Sequence, residues 1–365
     1  MKTLNETLRA KTILNVKHTF KIRRILIYLK HYNLSIYKMK YRFKLITAAA
    51  IAALAFACGS KQNTATANTP AITNPIIDGY YADPTIVKHN GTYYIYATID
   101  PWGANDLAVL TTKDFVSFQK EHINWPTKEQ CTTPTSSDAM VWAPAVVKGT
   151  DGKFYMYVSV GSEVWGGVAE SPLGPWKNMK ADNTPLVSKN DFPKVHNIDS
   201  DCFIDTDGQA YLYWGSGYNW VNGKCMVVKL KKDMHTFDGI PQDVTPPDYF
   251  EGPHMIKRNN KYYLMFSQGK AINATYKVGY ATGNSPLGPF TKGVNSPILQ
   301  TTKDSVTYGP GHHTVFTEKG QDYILYHRIK PQKQDYVLRQ LCLDSLKFDK
   351  AGNILPVVPK GVGRL

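Results

Sequence analysis

Five times along this chain of 365 residues, at intervals of 52 to 61 residues, one short pattern returns. The copies run from Asn90 to Thr98 (NGTYYIYAT), Asp151 to Ser159 (DGKFYMYVS), Asp207 to Gly215 (DGQAYLYWG), Asn259 to Ser267 (NNKYYLMFS) and Lys319 to His327 (KGQDYILYH). Each is a polar turn followed by alternating aromatic and aliphatic residues, the pattern of a hairpin turn entering a half-buried strand. A repeat of this period is one supersecondary unit, and here the unit is all strand. Two further repeats alternate between units. Ser171-Pro-Leu-Gly-Pro-Trp176 returns as Ser285-Pro-Leu-Gly-Pro-Phe290, and Lys113-Asp-Phe-Val-Ser-Phe118 as Lys232-Asp-Met-His-Thr-Phe237. Five units account for the whole body, so the sequence predicts an all-β, five-bladed β-propeller spanning residues 74–365. A large β-sandwich is the alternative, but it gives no reason for fivefold repetition.

The first 58 residues are of another kind. They carry 12 Lys and Arg against one acid, whereas the remaining 307 carry 31 against 28. The formal charge of +14 therefore belongs mostly to the leader, and no basic stripe in the body points to a nucleic acid. Within the leader, the basic stretch Met39–Lys44 precedes a 13-residue run, Leu45–Ala57, apolar but for Thr47, that stops at Cys58. That run is too short to span a bilayer and has the layout of a secretory signal. Its end resembles a bacterial lipoprotein signal, which predicts translation from Met39, lipidation of Cys58 and a flexible tether over residues 59–73. The expected protein is an exported monomer in the periplasm or on the outer membrane surface, meeting the membrane only through its lipid. Cys131, Cys202, Cys225 and Cys342 fit no disulfide framework or zinc pattern, and buried free thiols are the expectation.

Seven or eight residues before each copy begins stand Asp83, Pro144, Asp199, Glu251 and His312. In equivalent blades these residues open equivalent inner strands and converge on one axis. Glycosidic hydrolysis needs one carboxylic acid to protonate the leaving oxygen, and a second carboxylate to attack the sugar or activate water. A third can hold the acid's pKa up by like-charge repulsion. Any single Asp here could instead be a turn or cap residue; the shared repeat position favours chemistry for the trio. His312 could be a core histidine, a substrate donor or an ion ligand, and His313 should face the opposite way. Flat apolar walls suit sugar faces, and Trp142 and then Trp102 are the best placed of the seven tryptophans, the others being candidates for core. His327 and Arg339 are candidate ligands for sugar hydroxyls or, equally, structural residues.

The motifs Ala82-Asp-Pro84, Trp142-Ala-Pro144, Ile198-Asp199 with Phe203–Gly208, Glu251-Gly-Pro-His254 and Gly309-Pro-Gly-His312 stand in one order at blade spacing. In this the chain resembles glycoside hydrolase family 43, whose members are inverting five-bladed propellers acting mainly on arabinose- and xylose-containing polysaccharides. The resemblance implies Asp83 as general base, Glu251 as general acid and Asp199 as the residue that orients the acid and raises its pKa. Ser200 stands where the family usually has Pro, which leaves Asp201 as a competitor for the third role. The resemblance also implies a calcium ion on the axis, held by His312 and waters, and no organic cofactor. The expected substrate is a carbohydrate with α-L-arabinofuranosyl or β-D-xylosyl linkages. An arabinanase or galactan-directed activity and a non-catalytic glycan-binding propeller are the alternatives. Fructan-cleaving propellers use an Arg-Asp-Pro motif, and here Asn197-Ile-Asp-Ser200 takes its place.

Overall fold

The structure is a computed structural model that describes residues 71–331 and 336–365; the expected signal, Cys58 and nearly all of the tether lie outside them. The repeats fold into five antiparallel sheets. The first four blades have four strands each: Tyr81–His89, Thr92–Ile99, Ala108–Thr112 and Phe118–Glu121, then Val141–Lys148, Phe154–Val160, Val164–Ala169 and Lys177–Asn178. The third comprises Asp201–Ile204, Ala210–Trp214, Met226–Leu230 and Gln242–Asp243, and the fourth Glu251–Arg258, Lys261–Gln268, Lys277–Gly283 and Thr291–Lys292. The fifth has three, Gly311–Glu318, Gln321–Ile329 and Arg339–Leu346. The inner strands touch in sequence, and the fifth touches the first. This is a closed five-bladed propeller.

Each repeated turn joins a first to a second strand, and the alternating aromatics that follow fill five apolar cores, one between each pair of neighbouring blades. The two secondary repeats are docking points between blades. Tyr96 donates its hydroxyl to the carbonyl of Pro172, and Tyr213, at the same repeat position, donates to Pro286 (both 2.5 Å). Tyr157 donates in the same way to Met234 at 2.7 Å. A buried phenol needs such a partner, so the repeated turns recur because the repeated tyrosines must be satisfied. Cys131, Cys202, Cys225 and Cys342 are free and buried in four of these cores, as expected.

The N-terminal segment closes the ring. Ile76 donates its amide to Leu341, Asn74 accepts from the amide of Leu343, and Ile72 bridges to Gly363. The domain thus begins before residue 74, inside the segment expected to be tether. Asp344 gathers the join: its carboxylate accepts from the side chains of Asn74 (2.7 Å) and Tyr326 (2.9 Å) and from the amides of Lys360 and Gly361.

Candidate active site

At the start of each inner strand one residue adopts a left-handed backbone: Asp83 (φ 50°), Ala143 (46°), Asp199 (58°), Gly252 (59°) and His312 (39°). In four blades the same place is a bulge, where the register slips between Ala82 and Thr85, Trp142 and Ala145, Glu251 and His254, and Gly311 and His313. The true equivalents therefore include Ala143 and Gly252 rather than Pro144 and Glu251. Sequence spacing alone cannot see a bulge, which adds one residue without adding a pair. Left-handed backbone costs a non-glycine residue about 1–2 kcal/mol, and here it is held by the adjacent blade. The last residue of each repeat accepts the amide of that left-handed residue: Thr98 from Ala143 (2.8 Å), Ser159 from Asp199 (3.0 Å), Ser267 from His312 (2.8 Å), and His327 from Asp83 (3.1 Å), which closes the circle. In the third blade this position is Gly215, and the next residue, Ser216, donates instead to Glu251 Oε2 at 2.9 Å.

The structure brings Asp83, Asp199, Glu251 and His312 together, all with little or no exposure. His312 Nδ1 lies 3.1 Å from Asp83 Oδ1 and 3.8 Å from Asp199 Oδ2. Arg339 Nη1 donates to the same Asp83 oxygen at 3.0 Å, and Thr98 donates to the other at 2.8 Å. Glu251 accepts from Tyr276 at 2.8 Å on the oxygen opposite Ser216. The Tyr276 ring in turn stacks on His327, with 5.7 Å between centroids and 10° between planes. Gly311 makes room for it, since a Cβ there would stand 2.0 Å from the tyrosine ring. One continuous set of contacts thus joins Glu251 to Asp83.

The surroundings push the carboxylates apart in proton affinity. Burial disfavours the charge on Asp83, but Arg339 and His312 outweigh it and hold the carboxyl well below the usual range. Burial raises Asp199 to about 8, opposed by His312 and reinforced by the negative charge of Glu251 and Asp83. Glu251 is raised as well, first by burial, against the hydrogen bond from Tyr276. His312 resists burial because Asp83 and Asp199 hold its proton, and its pKa rises to about 9. The site therefore sets one carboxyl held low, suited to a base, beside two whose proton affinity is raised, the separation that acid and base roles require.

The other expected residues separate into walls and supports. His327 has no exposed surface, and its Nδ1 accepts the Asp83 amide, so it supports the base rather than meeting a sugar hydroxyl. Burial lowers it to about 4 and keeps it neutral. Arg339 is likewise buried, gripped by Asp100 through Nε and Nη2 (2.6 Å to Oδ1) and aimed at Asp83. Trp102 covers its guanidinium at 5.0 Å. Asp201 is no rival to Asp199: it lies two residues along the strand and accepts from the Met255 amide at 3.1 Å, with His254 at 3.3 Å. His313 is buried beside His254. Asp100, Thr98, Ser216 and Tyr276 went unread in the sequence. Thr98 could have been found, because it ends the repeat at the position of Ser159, Ser267 and His327; Tyr276 lies in no motif.

A cavity of about 690 Å³ opens at this end of the propeller, walled by Trp102, Met140, Trp142, Trp220, Phe250 and Ile272 among others. Phe250 precedes Glu251, and Trp142 precedes Ala143, so the wall is continuous with the strands that carry the acids. Trp165 and Trp214 are core, whereas Trp220, 52% exposed, joins the two tryptophans expected here. Among the described residues no three His, Cys, Asp or Glu side chains are grouped to hold a metal. Calcium takes six to eight oxygens, so the residues around His312 fit only an ion held by one imidazole and waters.

A closed propeller that sets one carboxyl of lowered and two of raised proton affinity beside an aromatic cavity has the parts of a glycoside hydrolase. Residues 72–354 match the model of glycosyl hydrolases family 43, and the chain belongs to that family. It is 36% identical over 312 residues to a β-D-galactofuranosidase of Aspergillus niger, covering 80% of this chain and 87% of that one. A xylosidase/arabinosidase of Bacteroides ovatus is 26% identical over 335 residues, covering 77% and 96%. The solved structure of an α-L-arabinofuranosidase from Clostridium thermocellum superposes with a TM-score of 0.60 at 28% identity, covering 78% and 95%.

Arg339→Met should lift Asp83 towards the ordinary carboxylate range by removing its nearest cation. The acid limb of the kcat/KM profile should then move to higher pH, with kcat lower by about 100-fold. A pH–rate series would show this, and an acid limb that stays in place would separate Arg339 from the base.

Proposed function

We propose that this enzyme hydrolyses α-L-arabinofuranosyl or β-D-xylosyl linkages in plant-type polysaccharides or their oligosaccharides, by single displacement with inversion. The observation that carries the mechanism is the opposed proton affinity of Asp83 and Glu251 within one buried network. Asp83, ionised at any working pH, orients water and draws its proton as the water attacks the anomeric carbon. Glu251, carrying a proton, delivers it to the departing oxygen. Asp199 shares the acid's surroundings and penalises loss of that proton. Ser216 and Tyr276 fix the acid's two oxygens, and Trp102, Trp142 and Trp220 offer flat faces to the sugars.

The Aspergillus relative favours a second reading, β-D-galactofuranoside cleavage. An α-L-arabinofuranosyl and a β-D-galactofuranosyl ring share every ring stereocentre; the hexose only extends the exocyclic arm by one carbon. A site shaped for the former ring therefore needs space, not new chemistry, to take the latter.

Aryl α-L-arabinofuranoside, β-D-galactofuranoside and β-D-xyloside, assayed side by side, test the substrate class; no turnover of any would overturn it. Asp83→Asn should lower kcat by about 10²–10⁴-fold on every substrate. Glu251→Gln should do so on oligosaccharides but far less on aryl glycosides, whose leaving group needs no proton. Asp199→Asn should move the alkaline limb to lower pH, since Asp199 and Glu251 each raise the other's proton affinity and only one of the pair then remains. NMR of the first-formed product should show inversion; retention would mean that a carboxylate attacks the sugar.

We propose too that a weakly held calcium ion rests on His312 and waters. Removal by EDTA should then lower the melting temperature, calcium should restore it, and His312→Ala should abolish the response. A melt indifferent to EDTA would dismiss the ion.

The leader supports export and lipidation at Cys58, with anchoring in the periplasm or on the outer membrane surface. Fatty-acid label should enter the protein and be lost in Cys58→Ala. An unlabelled mature chain starting beyond Cys58 would contradict this.

A further inference from the structure

Glu163 stands outside the catalytic network, in the tight turn between the second and third strands of blade two, and only 1% of its surface is exposed. It has no cation. Its carboxylate instead accepts three hydroxyls from one loop: Thr133 at 2.6 Å and Thr135 at 2.7 Å on Oε1, and Ser136 at 2.9 Å on Oε2. Burying a carboxylate without a counter-charge is costly unless hydrogen bonds replace its water. The three hydroxyls supply that replacement, and in return the loop is fixed at three points.

That loop runs straight into the cavity wall. Ser136 accepts the amide of Ala139 on its carbonyl, and Ala139 and Met140 line the cavity together with Gly161, from the same turn as Glu163. Gly161 allows the close fit, since a Cβ there would sit 3.1 Å from Ser136 Cβ and 3.3 Å from Ala139 Cβ. Val141 then bridges to Ala104, two residues beyond Trp102. Met140 is 40% exposed and three residues before Ala143, so roughly 10 Å of extended chain separates this wall from the catalytic tier. At about 690 Å³ the cavity is larger than one furanose ring, so it has room for units beyond the one cleaved.

We propose that Glu163 is a positioning residue for substrate length: by holding the 133–140 loop it places Met140 against the parts of a carbohydrate beyond the cleaved sugar. The proposal rests on the glycosidase reading and concerns its selectivity. The observable is the ratio of kcat/KM on an oligosaccharide to kcat/KM on an aryl monoglycoside of the same sugar.

Glu163→Ala should free the loop and lower that ratio about tenfold, mainly through KM, in keeping with loss of charge-assisted hydrogen bonds. Glu163→Gln, which keeps an acceptor for part of the set, should fall between it and the wild type. Met140→Ala should reproduce the effect without disturbing the anchor, and it serves if Glu163→Ala fails to fold. A merely structural Glu163 would lower the melting temperature and active fraction but leave KM and the ratio alone. An unchanged ratio in Met140→Ala, or in a folded Glu163→Ala, overturns the proposal. Wild-type protein inert on both substrates would instead defeat the glycosidase reading itself.

Discussion

The hydrogen bond from each left-handed inner-strand residue to the end of the preceding blade's repeat organises the whole molecule. It fixes a backbone conformation that non-glycine residues disfavour, and it does so only when two blades are docked. In the first, third and fifth blades the left-handed residue is itself Asp83, Asp199 or His312, so closing the ring and assembling the site are one event. The last link, His327 to Asp83, joins the final blade to the first. Where the series lapses, at Gly215, the freed place serves the acid: Ser216 beside it holds Glu251.

Charge is arranged on the same frame. Asp83 and Asp100 share Arg339, and Asp83 shares His312 with Asp199. Two cations on one carboxylate guarantee its ionisation but weaken it as a base. In the proposed mechanism, placing the water therefore matters as much as drawing its proton. Glu251, by contrast, accepts hydrogen bonds from the neutral donors Ser216 and Tyr276, and burial outweighs them to raise its proton affinity.

Much of this was legible in the order of residues. The five repeats established blade number because an alternating strand with one turn signal can bury its face only against copies of itself. Asp83, Asp199 and His312 could be singled out because they share a place in the repeat. Glu251 was found at a position one residue from its true equivalent, since a bulge shifts pairing while leaving the apparent spacing almost unchanged. His327 could be read equally as a sugar ligand or a structural residue; in the structure its ring accepts the amide of Asp83 from the neighbouring blade.

What the sequence alone determined is the class of fold, the acids that meet and the chemistry they can perform, because these follow from periodic patterning and residue type. What only the tertiary structure decided is which acids are raised and which is lowered in proton affinity, and what holds each one. Proton affinity depends on burial and on charges brought near by other blades, from residues up to 256 positions apart in the case of Asp83 and Arg339. Tyr276, Asp100 and Glu163 carry no local motif, and their roles arise only when distant strands and loops close around them.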